Sequence, residues 1–201
     1  LDTYLTISSA SQGIYKEKGS KFLAFAFPIF SEEEFKNHLS HLKKEYHDAR
    51  HHCYAFKLGL TENEYRYSDD GEPNNSAGKP IYGQLLSKNL TNVGIVVVRY
   101  FGGTKLGVGG LVTAYKEAAA DALNNAQIIN QLVNNFYQVT FDYPVMSEVM
   151  NFIKKHDLEV SKQVFEEHCL IEFGIRKTEA NSVVNELEKI DDVSVKFLRT
   201  I

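Results

Sequence analysis

The consecutive β-branched residues Ile95, Val96, Val97 and Val98 run into five glycines within nine residues, and these are followed at once by an alanine-rich stretch. An unbroken apolar run of this kind reads as a central strand covered on both faces, so residues 92–100 are expected in the middle of a sheet. Residues 111–126 are expected as a helix, because their alanines are strong helix formers. Between them the glycines make a strand-to-helix turn, and the rest of the fold has to be arranged around it.

Upstream, residues 20–30 read as a buried strand. Ser31 then caps a helix whose apolar positions Phe35, Leu39, Leu42 and Tyr46 recur at helical spacing. That helix is expected to end near His47. Residues 52–58 form a short apolar strand, 71–78 a loop rich in turn formers, and 81–87 a short helix. Lys16, Lys18 and Lys21 before the apolar run 22–30 mimic a secretory signal. Pro28, the acidic residues after Ser31 and the want of a small-residue cleavage site argue instead for a strand leading to a helix cap. No run is long enough to span a bilayer, so no membrane partner and a cytoplasmic location are expected. Two cysteines, Cys53 and Cys169, far apart and outside any metal-binding spacing, fit a reducing compartment.

Five Asn and two Gln within residues 124–135 mark a change of composition and place a domain boundary near residue 134. Beyond it the expected order is a strand at 136–141, a helix at 145–156, strands at 158–165 and 169–175, a helix at 178–190 capped by Thr178, and a strand at 193–198. This βαββαβ order is the ferredoxin-like arrangement, and the chain is expected to be α+β with domains 1–134 and 135–201. Residues 1–134 carry 14 basic and 14 acidic side chains, and residues 135–201 carry 8 and 12. Neither half is basic in bulk, which excludes broad phosphate neutralisation of a duplex and leaves a local patch as the route to any nucleic acid.

The candidate anion site is the run from Arg99 and Tyr100 through Gly102, Gly103, Lys105, Gly107, Gly109 and Gly110, joined by Arg50 and Lys79. Unpaired N–H groups at the start of the following helix, flanked by Arg99 and Lys105, suit a phosphate or carboxylate. The same glycines also serve a tight turn with close packing, and Arg99 also suits burial against Asp69, Asp70 or Glu72. Gly107 to Val112 lacks the third glycine of a dinucleotide fingerprint, and Gly71 to Pro80 has the wrong spacing and a proline where a P-loop needs Ser or Thr. No cofactor is therefore expected. Asp69, Asp70 and Glu72, with His51 and His52, form a second polar set, read either as acid–base groups or as a solvated turn. Cys53 reads as a small buried hydrophobe. Glu34, His38, His41 and Glu45 share one helix face, but this stripe flanks the apolar one and reads as solvated, so no metal and no catalytic residue are assigned.

Taken together, Ala49-Arg50-His51-His52-Cys53, Ser68-Asp69-Asp70-Gly71-Glu72-Pro73, Ser76-Ala77-Gly78-Lys79-Pro80 and the segment from Val98 to Leu111 are far more specific than any one glycine motif. On these residues the chain resembles the Impact family, in its bacterial, two-domain YigZ branch, apart from a start at Leu1 in place of Met. The resemblance covers essentially the whole chain. It implies an N-terminal domain similar to the second domain of ribosomal protein S5 and a ferredoxin-like C-terminal domain similar to one in a translocase elongation factor. Eukaryotic members restrain an amino-acid-starvation kinase by competing for its ribosome-associated activator, which implies translation as the context. The partners implied are structured RNA, the ribosome or a translation-associated protein. Some relatives carry a proline-dipeptidase label, for which no dinuclear metal set is visible here.

Overall fold

The computed structural model describes residues 2–61 and 64–201; Leu1, Glu62 and Asn63 lie outside them. The fold is mixed α+β, in two compact units. One is Tyr4–Gln131, and the other is Leu132–Ile201 together with Asp2 and Thr3.

In the first unit, β2 (Ser11–Glu17), β3 (Ser20–Pro28), β4 (His51–Lys57), β5 (Tyr65–Ser68) and β6 (Val93–Tyr100) form an antiparallel sheet in the order β2-β3-β6-β4-β5. β6 is central, and every residue from Val93 to Arg99 is buried. One face packs on α2 (Gly78–Ser87) and α3 (Gly107–Asn124) through Ala24, Cys53, Ile95, Val97, Ile81, Leu111 and Tyr115. The opposite face packs on α1 (Glu32–Glu45) through Phe25, Phe27, Phe56, Val96, Val98, Phe35 and Leu42. Alternation along β6 thus feeds two cores at once, which is why its sequence shows no polar face. A separate two-stranded sheet pairs β1 (Thr3–Ile7) with β7 (Ile128–Leu132).

The cap on α1 is as expected: Ser31 Oγ accepts from Glu34 N at 3.1 Å, and Glu34 reaches back to Phe30 N at 2.8 Å. α3 begins four residues earlier than expected, at Gly107, so Gly107, Gly109 and Gly110 are its first turn and not a loop before it. A first turn has no N–H that must find an intrahelical acceptor, so glycine is tolerated there. α2 likewise begins at Gly78, with Pro80 in its first turn, where the missing N–H costs nothing.

In the second unit β8 (Asn134–Phe141), β9 (Glu159–Phe165), β10 (Cys169–Arg176) and β11 (Val193–Thr200) pair antiparallel in the order β11-β8-β10-β9. α4 (Met146–Lys155) and α5 (Lys177–Leu187) share one core with the Tyr137, Val139, Phe141, Ile171 and Phe173 face, which is the ferredoxin-like topology. Thr178 does not cap α5. The helix starts at Lys177, and the Thr178 hydroxyl donates to Asp2 Oδ1 at 3.3 Å.

Candidate functional site

A cleft of about 860 Å³ opens in the first unit at one end of its sheet, where β4 begins and β6 ends. It is lined by the 48–51 segment, Glu72, Pro73, the 99–101 segment, the 105–108 segment and Leu111. The register His51↔Arg99 puts the two strand ends side by side, and the first turn of α3 forms another wall.

Arg99 is not a free cation. It is 8% exposed, and its guanidinium bonds Glu72 Oε1 at 2.5 Å, with the Glu72 side chain 4% exposed. The Tyr115 hydroxyl donates to the same oxygen at 2.8 Å, and Cys53 Sγ lies 3.3 Å from that hydroxyl and 3.0 Å from the Asp69 carbonyl oxygen. A hydrogen-bonded chain therefore runs from a buried thiol to a buried ion pair on the floor of the cleft. Burial pushes both the Cys53 thiol and the Tyr115 phenol well above their ordinary values, which keeps them neutral. Tyr115 escaped the reading of the sequence, although its place on the apolar stripe of α3, four residues after Leu111, marks it as a core hydroxyl in need of a partner.

The acidic loop is committed to the backbone. Asp69 accepts from Asn75 N, Ala77 N and Gly78 N at 2.8–2.9 Å, filling the amino end of α2 from a distance, and Asp70 Oδ2 accepts from His52 N at 2.7 Å. His51 Nδ1 lies 2.8 Å from the Asp70 carbonyl oxygen, so the proton sits on Nδ1. His52 is buried on the α1 side of the sheet, away from the cleft. Lys79 is exposed on α2 and does not line the cleft; neither do Asp69, Asp70, Gly102, Gly103, Gly109 or Gly110.

What remains at the mouth is an unpaired positive edge. Arg50 and Lys105 are exposed and form no ion pair among the described residues. The amino end of α3 has no side-chain cap and no acid in its first turn, unlike α1 with Ser31 and three glutamates. Gly107 takes a positive φ of 72° there, which a side chain would strain. Opposite, Tyr100 donates to Asp48 Oδ1 at 2.7 Å, a bond that holds the Asp48 carboxyl below its ordinary value and pushes the Tyr100 phenol up to about 12. Among the described residues no three His, Cys, Asp or Glu side chains are grouped to hold a metal ion. On α1, His38 stacks on Phe27, His41 pairs with Glu45 and Glu34 serves the cap.

His52 carries a pH dependence. Burial holds its imidazole below 6.5, against the pull of Asp70 and with the push of Lys43 and His51. As pH falls below 6.5 the unfolded chain binds a proton that the folded chain refuses, so folding stability is lost toward acid. Urea unfolding followed against pH is expected to show a shallower acid slope in His52→Gln than in the native chain; identical slopes would remove His52 as the cause.

A buried Arg–Glu floor, an uncapped helix amino end and two exposed cations thus meet at one end of the sheet of the first unit. Residues 18–123 match the Impact N-terminal domain, and the chain belongs to the Impact family. It is 31% identical over 186 residues to an IMPACT family member of Haemophilus influenzae, covering 92% of this chain and 90% of that one. It is 27% identical over 177 residues to the IMPACT family member YigZ of Escherichia coli, covering 87% of each. A crystal structure of a hypothetical protein superposes with a TM-score of 0.79 over 99% of this chain and 98% of its own at 24% identity, a likeness of fold alone. No helix among the described residues is long and apolar enough to cross a membrane.

Proposed function

We propose that the chain is a noncatalytic binding protein of translation, engaging structured RNA in a ribosomal setting through the cleft between the start of β4, the end of β6 and the amino end of α3. The observation that carries this reading is the uncapped amino end of α3, open to the cleft, with Lys105 and Arg50 beside it free of ion pairs among the described residues. Backbone N–H groups and two unneutralised cations favour phosphate. The even charge balance of the first unit means that attraction is local, in keeping with contact to one feature of an RNA and not with coating of a duplex. Resemblance to the eukaryotic Impact proteins supports translation as the setting.

An enzymatic use of Asp69 and Asp70 has less support, since these carboxylates are engaged with backbone N–H groups.

The test is a titration of a fluorescent RNA hairpin at several salt concentrations. Replacing Arg50 and Lys105 together by Gln is expected to weaken binding by about a hundredfold, through two lost charge-assisted bonds. The log–log salt slope should fall by about two, and the melting curve should not move. Unchanged affinity in the well-folded double variant would remove the cleft as the RNA site.

A further inference from the structure

Cations and a helix end account for phosphate, but not for the apolar part of this cleft. Phe101 is 59% exposed and Val108 56%, and both line it. The Phe101 ring is nevertheless held. The guanidinium carbon of Arg99 lies 5.7 Å from its centroid and 5.5 Å from that of buried Phe22, so Arg99 touches both rings. Arg99 itself is buried and lines the cleft, and its Nε has no hydrogen-bond partner among the described residues. That nitrogen is fully buried, so Arg99 acts on a ligand through the ring it holds and not through a bond of its own.

The ligand must therefore bring negative charge for the α3 end and a planar π-face for Phe101. Asp48 on the rim adds a requirement for N–H donors, since it presents a carboxylate to the same space. An acidic peptide such as hexaglutamate fails the second condition, because it carries no aromatic face for Phe101. A base paired in a duplex fails the second, because its faces are covered by its neighbours. An unpaired nucleotide meets all three.

We propose that the cleft takes one unpaired nucleotide of RNA, with a phosphate at the amino end of α3 beside Lys105 and the base against the open face of Phe101. This rests on the RNA-binding reading of the same cleft and narrows it to loops, bulges and single strands. Ring contact with Arg99 fixes Phe101 before binding, so little freedom is lost when a base stacks on it.

The chain has no tryptophan, so Phe101→Trp places a single reporter at the stacking position. The full chain is titrated with an unstructured 12-nucleotide RNA, with the same sequence as a blunt duplex, with inorganic pyrophosphate and with a hexaglutamate peptide. Single-stranded RNA is expected to quench the indole emission of the Phe101→Trp variant and to bind at least about tenfold more tightly than the duplex. Phe101→Leu is expected to weaken single-strand binding by about tenfold, leaving the salt slope and the pyrophosphate affinity unchanged. Unquenched emission, equal duplex affinity or an indifferent Phe101→Leu overturns the nucleotide assignment; if the Arg50/Lys105 double variant still loses RNA affinity, the RNA reading itself survives. Loss of all RNA binding signal, or hexaglutamate binding where RNA does not, overturns both.

Discussion

Replacing Glu72 by Ala lowers the unfolding free energy by about 3–5 kcal/mol, read as a shift of the urea midpoint at constant slope. The reason lies in what stays behind. Arg99 keeps its charge at 8% exposure, and the Tyr115 hydroxyl loses the acceptor 2.8 Å away, so a guanidinium and a phenol are both orphaned in the core. The paired replacement Glu72→Leu with Arg99→Met removes the charge along with its partner and should cost much less, since a buried ion pair and an apolar pair of similar volume are nearly equivalent. A single Glu72→Ala cost below about 1 kcal/mol would mean that Arg99 finds solvent, and would undo the description of the cleft floor. The result also separates roles. Arg99 shapes the floor and steadies Phe101, whereas Arg50 and Lys105 remain available to an outside charge.

Gly102→Ala and Gly109→Ala are expected to move stability in opposite directions, although the two glycines stand in the same run. A Cβ on Gly102 would sit 1.9 Å from the Gly19 carbonyl carbon and 2.2 Å from Ser20 N, where only backbone could give way. The cost is expected at about 3 kcal/mol, the upper range for overpacking, because no side chain can rotate aside. The Gly102 N–H bond to Ser20 Oγ, 3.1 Å long, would be displaced as well. A Cβ on Gly109 meets nothing within 4 Å, and the residue is helical, so alanine there should stabilise by up to about 1 kcal/mol. Thermal melts of the two variants decide it. Equal tolerance at both positions would show that β3 and the end of β6 do not approach as described.

Much of the architecture was written in local pattern. The Ser31 cap, the buried run 93–99 and the βαββαβ order beyond residue 134 each follow from spacing that one helix or strand imposes on its own residues. Four strands were not legible. β2 and β5 lie on sheet edges with polar or exposed residues, and β1 and β7 pair with each other across most of the unit, β7 within the asparagine-rich stretch that reads as a change of composition at a domain boundary. At the cleft, the sequence brought Arg50, Arg99, Lys105 and Gly107 to attention, but not which cation is spent. That depends on Glu72 arriving from a loop 27 residues away, and on Tyr115 meeting it from α3. Asp69 likewise looks like a free carboxylate until three backbone N–H groups converge on it. Pairings of this reach have no signature in a window of neighbours.

The strand order also dictates when this domain can come into being. β6 is the last strand of its sheet to be synthesised, yet it lies between β3 and β4, with Lys21↔Tyr100 and His51↔Arg99 as the pairs at its carboxyl end. Until it emerges, the nascent chain holds two separate hairpins, β2-β3 and β4-β5, each with an open inner edge and an uncovered apolar face. A chain stopped before residue 93 has nothing to join them. Insertion of one strand closes both edges, and only the arrival of α3 after it finishes the second core and the cleft, so this unit must remain protected from edge pairing through most of its own synthesis.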